Sequence, residues 1–209
     1  MHLRKVKDVE EKIKEFSNIV MFNPENEKGK WHELFENNNP IYLEIGMGKG
    51  KFIRENAKRN PNINYIGCEI SSSMCYKSAK EVGELSNLKI INYDAFKLQE
   101  VFSKEEISKI YLTFSDPWPK ARHEKRRLTT DNVLNIYKEL LNNKGDIEFK
   151  TDNRSLFEYS IIQFTNNNFE ILELSLDLHS DKEDVITTEY EEKFMAKGQV
   201  IYYIKVKER

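Results

Sequence analysis

Strand-like apolar runs alternate with helix-like segments along most of this chain, and that alternation limits the folds it can adopt. The runs that alternate with helical patterns lie at residues 41–46, 63–70, 88–93, 107–115 and 146–151. Two more, at residues 169–178 and 199–208, have no obvious helix between them, so we expect them to pair antiparallel. Repeated β–α units form parallel sheets with helices on both faces. The sequence therefore predicts an α/β fold with a doubly wound, mostly parallel seven-stranded sheet and an antiparallel C-terminal strand pair.

Length and composition predict one domain. The chain has 209 residues, 39% of them hydrophobic, which is enough for a single sizeable core. We assign residues 41–209 to that domain and residues 1–40 to an N-terminal extension. Cys68 and Cys75 form no metal-type pair, the four histidines are scattered, and no apolar run reaches membrane-spanning length. We therefore expect a cytoplasmic protein that uses neither a metal nor a membrane.

A glycine-rich turn follows the first predicted strand. Gly46, Gly48 and Gly50 stand directly before a helix, where glycine lets a ligand approach the main chain and the helix amides attract an anion. The spacing G-x-G-x-G differs from the dinucleotide pattern G-x-G-x-x-G, and no Walker lysine is present. Glu44 beside the glycines would repel a pyrophosphate. A ligand with an ammonium and one carboxylate fits better, and S-adenosylmethionine has both. The alternative is a plain strand–helix turn.

Two more acids end the next two predicted strands. Ligands of doubly wound sheets bind at the carboxyl ends of the strands, beside the point where the strand order reverses. Glu69 ends the second strand, where a carboxylate can accept both hydroxyls of a ribose. Asp94 ends the third strand and is placed to receive an adenine amino group or to order the neighbouring loop. Either acid could instead be a helix N-cap.

The segment "SDPWP" follows the fourth predicted strand. Asp116 stands where we expect the reacting methyl group to lie, and Pro117 and Pro119 stiffen the loop. Trp118 offers a flat face for a base, or else fills the edge of the core. The segment resembles the Asp-Pro-Pro-aromatic loop of amino-group methyltransferases, in which polar groups hold the nitrogen that is methylated.

A cationic run, "KARHEKRR", comes next. Lys120, Arg122 and residues 125–127 face only one acid, Glu124, whereas the whole chain carries a formal net charge of −2. Binding to a polyanion must therefore come from a local patch. A cationic loop beside a base-sized site suits the phosphates of a folded RNA. The alternative is the solvated face of a helix.

Together these segments resemble a known family. "EIGMGKGKF", "YIGCEI", "YLTFSDPWPKARHEKRRLT", "FKTDN" and "TTEYEEKF" are similar to the bacterial tRNA (guanine-N7)-methyltransferases. The resemblance covers roughly residues 40–207 and is most specific in "SDPWPK..H.KRR". It implies the Rossmann-like class I methyltransferase fold, S-adenosyl-L-methionine as cofactor, and a guanine in the variable loop of tRNA as substrate.

The resemblance also implies roles for individual residues. The cofactor residues would be Glu44, Gly46, Gly48, Gly50, Glu69, Asp94 and Asp116, with Asp116 also catalytic. The substrate residues would be Lys120, Asp152, Thr188, Glu189, Tyr190 and Glu191. The RNA-binding residues would be Arg122, His123, Glu124, Lys125, Arg126 and Arg127. Without the family, "TTEYEEKF" would be taken for a polar loop, and Asp152 for a cap of the following helix.

Other functions remain open on the sequence. One is methylation of an exocyclic amine of a base in another RNA or DNA, which the Asp-Pro-aromatic loop permits. A second is a non-catalytic RNA-binding subunit, which the intact acids and glycines disfavour. A third, an NAD-dependent oxidoreductase, is disfavoured by the glycine spacing. We expect tRNA as partner, and the protein itself to be a monomer or a homodimer.

Overall fold

The computed structural model describes residues 6–209 and is built around an eight-stranded sheet. The strands are β1 (Val20–Met21), β2 (Ile41–Ile45), β3 (Asn64–Cys68), β4 (Leu88–Ile91), β5 (Ile107–Thr113), β6 (Leu141–Thr151), β7 (Phe169–Ser175) and β8 (Tyr202–Glu208). Their order across the sheet is β1-β4-β3-β2-β5-β6-β8-β7.

Helices connect the strands and cover both faces of the sheet. The α-helices of the described residues are α1 (Val9–Lys12), α2 (Trp31–Leu34), α3 (Lys51–Arg59), α4 (Ser72–Val82), α5 (Asp131–Leu140), α6 (Arg154–Asn166), α7 (Leu178–Asp181) and α8 (Glu189–Met195). The 3-10 helices are Ile13–Phe16, Pro24–Glu27, Ala95–Glu100 and Ala121–Arg126. In residues 6–209, no helix has both the length and the apolar character that crossing a bilayer requires.

The predicted fold class is confirmed. Strands β1 to β6 pair in parallel, and β8 pairs antiparallel with both β6 and β7. The chain runs outward from β2 through β3 to β4 and returns to β5 on the other side of β2. The strand order therefore reverses beside β2, and the carboxyl ends of β2, β3 and β5 meet at that point.

The sheet has one strand more than predicted. The added strand, β1, comes from the predicted N-terminal extension and pairs with β4 through Val20 and Met21. A strand of two residues is too short to show the period-2 pattern on which the prediction relied. Trp31, from the same part of the chain, is fully buried and donates its indole N–H to the carbonyl of Val101 at 3.1 Å.

The region between the last two strands was wrongly predicted to lack a helix. β7 ends at Ser175 rather than near residue 178, and α7 and α8 precede β8. A smaller error concerns the start of the fifth predicted strand, which was placed at residue 146. α5 ends at Leu140, and β6 begins at Leu141.

Two apolar clusters lie on opposite faces of the sheet. In one, Leu43 of β2 packs with residues of α5 and α6, such as Tyr137 and Phe157. In the other, residues of α3 and α4, such as Ile53 and Ala79, pack over β3 and β4. The buried layers fix the strand ends, and so they fix the loops that carry the candidate site.

Candidate active site at the carboxyl edge of the sheet

The glycine turn has the conformation that its sequence predicts. Gly46, Gly48 and Gly50 all have φ in the left-handed region, at 79°, 57° and 74°. At Gly50 a Cβ atom would also collide with the hydroxyl of Ser78, whereas the space beside Gly46 and Gly48 is open. Residues with a side chain rarely adopt such backbone φ values, so this turn requires glycine. The open side leaves the backbone accessible to a ligand.

Glu69 joins this turn to the next one. Its carboxylate accepts the amide N–H of Gly48 at 3.0 Å and that of Ser71 at 2.9 Å, one on each oxygen. A carboxylate has about four acceptor sites, so further hydrogen bonds remain available to a ligand hydroxyl. Glu69 is half-buried directly after β3, as predicted from its place at a strand end.

Glu44 is completely buried within β2. Thr113, at the end of β5, donates its hydroxyl to Oε1 of Glu44 at 2.7 Å. Oε2 has no hydrogen-bond partner among residues 6–209. Burial raises the pKa of Glu44 to about 8, against the opposing effects of the Thr113 hydrogen bond and the charge of Lys150. A buried acceptor without a partner favours a cationic or hydrogen-bond-donating ligand at this point.

Asp94 lines a cavity of about 340 Å³ at the end of β4. The cavity is lined by Glu25, Ile70, Asn92, Tyr93, Asp94, Lys97 and Glu100. Oδ1 of Asp94 accepts the amide of Phe96 at 3.0 Å, so the N-cap role considered from the sequence is present. Ile70, directly after Glu69, is 71% exposed and gives the cavity an apolar wall. An aromatic base has room to lie here.

Asp116, Asp152 and Tyr190 lie near one another. Asp116 is exposed beyond the end of β5, and the Tyr190 hydroxyl donates to Oδ2 of Asp152 at 3.3 Å. Burial raises the pKa of Tyr190 to about 12, and the charges of Asp152 and Asp116 add to the effect. Asn153, rather than Asp152, caps α6, by accepting the amide of Leu156 at 2.8 Å. Asp152 is therefore available to a ligand.

The predicted substrate segment, residues 188–191, forms the start of α8. Thr188 and Glu191 make a capping box, in which each side chain accepts the other residue's amide N–H. Tyr190 is 43% exposed, whereas Glu191 is completely buried. The Glu191 carboxylate contacts Lys150 Nζ at 2.8 Å and His179 Nε2 at 2.8 Å. The segment thus presents Glu189 and Tyr190 and buries Glu191.

The cationic run forms an exposed 3-10 helix at Ala121–Arg126. Its exposed charged members are Lys120, Arg122, Glu124, Lys125 and Arg126. His123 packs edge-on against the ring of Trp118, with 5.7 Å between ring centroids. Arg127 is half-buried and turns toward the "SDPWP" loop. Trp118 lies partly exposed at the surface.

Lys150 is a candidate site residue that the sequence motifs did not single out. It is almost fully buried in β6, donates to the carbonyl of Ile186 at 3.0 Å, and lowers the pKa of Glu44 through its charge. The signal was present, because alternation in "DIEFKT" puts Glu148 and Lys150 on one face of a strand. A lysine facing a covered sheet requires a buried anion as partner.

The acids lie along one edge of the sheet. β2 lies between β3 and β5, so Glu44 is flanked by the strands that lead to Glu69 and Asp116. The charges of Glu69 and Glu189 both act on the pKa of Glu44, and the charge of Asp116 acts on that of Tyr190. The glycine turn, Glu44, Glu69, Asp116 and the start of α8 therefore lie close enough to interact.

Comparison with solved structures supports this view of the fold. The 16S rRNA methyltransferase KamB superimposes with a TM-score of 0.67, over 85% of this chain and 91% of that one, at 12% sequence identity. A family described as "Putative methyltransferase" matches residues 38–204. The family match and the fold together define this chain as a methyltransferase.

Sequence relatives narrow the class to one family. The tRNA (guanine-N(7)-)-methyltransferase of Alkaliphilus oremlandii is 50% identical over 205 residues, which are 97% of each chain. The Listeria innocua protein of the same name is 53% identical over 200 residues, or 94% of each chain. The chain belongs to the bacterial tRNA (guanine-N(7)-)-methyltransferase family, and the predicted resemblance is confirmed.

Proposed function

We propose that this protein is an enzyme that methylates N7 of a guanine in the variable loop of tRNA and takes the methyl group from S-adenosyl-L-methionine. Relatives with this name, about 50% identical over nearly the whole chain, support the assignment. The structural observation that carries it is the row of carboxylates beside the glycine turn, with an exposed cationic helix next to them. We place the activity in the cytoplasm, where tRNA is found. The predictions that the protein is a monomer or a homodimer and that it uses no metal stay predictions.

The residues present fit the cofactor. Oε2 of Glu44, buried and without a partner in residues 6–209, suits the ammonium of the methionine part. The first amides of α3, directly after the glycine turn, suit its carboxylate. Glu69 has acceptor sites left for the ribose hydroxyls, and the cavity beside Ile70 and Asp94 suits the adenine. When bound, the cofactor supplies a methyl carbon attached to a sulfonium.

The reaction needs no general base, because N7 of guanine has a lone pair and no proton. The protein's task is to align the nucleotide and to stabilise the positive charge that develops on its ring. Asp116 accepts hydrogen bonds from the guanine edge and places a negative charge beside it. Lys120, Asp152 and Tyr190 hold the nucleotide. The absence of a nucleophilic side chain from this set is consistent with direct transfer.

The test is methyl transfer to an unmodified tRNA transcript, followed by borohydride reduction and aniline cleavage. Only N7-methylguanine makes the strand labile, so we expect scission at one variable-loop guanine. Incorporation of label without scission would instead support methylation of an exocyclic amine. Asp116→Asn removes the charge and keeps the shape, and we expect its turnover to fall by about 100-fold with unchanged tRNA affinity. Full turnover in that variant would refute the role of Asp116.

A further inference from the structure

The loop that carries Asp116 has an unusual backbone. Phe114 and Trp118 have φ values of 53° and 42°, in the left-handed region that residues other than glycine seldom occupy. Pro117 and Pro119 have no N–H, so the loop has few donors with which to bond to its surroundings. Such a backbone persists only where neighbouring groups hold it in place.

Arg127 provides that support. Its Nε donates to the carbonyl of Pro117 at 3.1 Å, and its Nη2 donates to the carbonyl of Trp118 at 3.1 Å. The planar guanidinium thus donates hydrogen bonds to two consecutive backbone carbonyls of the loop. It also lies 4.3 Å from the ring centroid of Tyr159, on α6. These contacts connect the loop to the body of the protein.

The rest of the cationic run is arranged differently. Arg126 lies over the ring of Trp118 at 4.8 Å and is otherwise exposed. Arg122 and Lys125 are exposed. Five neighbouring cations that look alike in the sequence therefore divide into outward-facing charges and one residue turned toward the protein.

We propose that Arg127 is a positioning residue, which holds the two backbone carbonyls on either side of the Trp118 Cα and so fixes the carboxylate of Asp116, rather than a contact to tRNA phosphate. The inference deepens the proposed function, because it takes Asp116 to be the catalytic group. Lysine cannot replace arginine in this role, since an ammonium lacks the planar pair of donors.

The experiment compares Arg127→Lys and Arg127→Gln with Arg122→Gln, which removes an exposed RNA-facing cation, and with the control Lys144→Gln. Single-turnover methyl transfer is measured at saturating tRNA and cofactor, and tRNA affinity is measured over a series of salt concentrations. We expect both Arg127 variants to lose about 10- to 100-fold in rate, because small misplacement of a reacting group has effects of this size. Their slope of log affinity against log salt should match the wild type. Arg122→Gln should flatten the slope by about one unit, whereas Lys144→Gln, which removes an exposed cation away from the site, should keep both the wild-type rate and the wild-type slope.

A second measurement follows the loop in the free protein. The chain has two tryptophans, and Trp31 is fully buried, so acrylamide quenches mainly Trp118. We expect stronger quenching in both Arg127 variants and no change in Arg122→Gln. This measurement involves neither tRNA nor cofactor, so it tests the support of the loop even if the wild-type protein does not methylate tRNA.

The two kinds of result separate the alternatives. If Arg127→Lys keeps the wild-type rate and quenching while Arg127→Gln flattens the salt slope, Arg127 is a phosphate contact and the proposal is wrong. Circular dichroism checks that each variant is folded. Should Arg127→Gln fail to fold, Arg127→Lys decides alone, because it keeps the charge and loses only the paired donors.

Discussion

At the scale of single residues, Glu44 shows how a cofactor site affects the free protein. Desolvation raises its pKa from 4.5 to about 8, so in the folded protein it holds a proton at pH values where the unfolded chain has released it. The folded state binds more protons between those two pKa values, and the stability that this provides is lost as the pH rises from 4.5 to 8. Glu44 therefore contributes least to stability at the pH where it is ionised and ready to pair with an ammonium.

We predict that binding of S-adenosylmethionine at pH 7 releases close to one proton per site. The α-ammonium of the ligand is mostly charged at that pH, and its pairing with Glu44 favours the ionised carboxylate. Calorimetric titrations in two buffers with different ionisation enthalpies measure the number of protons released. Glu44→Gln should bind more weakly and release almost none. Equal release by the variant and the wild type would mean that the proton comes from another group.

At the scale of secondary-structure elements, α8 explains an error of the sequence analysis. Its seven residues contain a single i,i+4 aromatic pair, Tyr190 and Phe194, which is too little for the periodicity that predicted the longer helices. The helix is stabilised by the capping box of Thr188 and Glu191 and by the contacts of the buried Glu191 carboxylate. The spacing T-x-x-E is a helix start signal and was available in the sequence.

The contacts of Glu191 could not be predicted in the same way. Its partners Lys150 and His179 lie 41 and 12 residues away in the sequence, on different elements. Periodicity describes one element at a time, whereas this cluster exists only once β6, α7 and α8 have packed together. The acids at strand ends were easier to predict, because parallel strands bring their carboxyl ends to one edge of the sheet whatever the rest of the chain does.

Removal of the Glu191 charge should destabilise the protein. Glu191→Gln leaves Lys150 buried without its anion, and loss of one partner of a buried ion pair costs about 3 kcal/mol or more. For a chain of this length, that lowers the melting temperature by about 6–12 °C. Glu192→Gln is the matched control, since Glu192 is the next residue and forms an exposed pair with Lys51. If both variants melt like the wild type, the buried pair does not stabilise α8.

At the scale of the whole molecule, the distribution of charge matters more than its sum. The net charge of −2 predicts no general attraction to RNA, yet the exposed cations of residues 120–126 stand beside the carboxylates of the site. The composition predicts the net charge, and the segment "KARHEKRR" predicts where the cationic patch lies. Neither could indicate that Arg127 faces the protein, because that depends on the backbone carbonyls of Pro117 and Trp118.

The salt dependence of tRNA binding should therefore follow the position of a charge and not the net charge. Arg122→Gln with Lys125→Gln removes two cations beside the site. Lys104→Gln with Lys144→Gln gives the same change in net charge. It removes two exposed cations near the amino-terminal ends of β5 and β6, away from the carboxyl ends that carry the site. We expect the first pair to reduce the slope of log affinity against log salt by about one unit for each phosphate that is no longer neutralised, and the second to leave it unchanged. Equal slopes for the two double variants would show that bulk charge, rather than the exposed cationic helix, attracts the RNA.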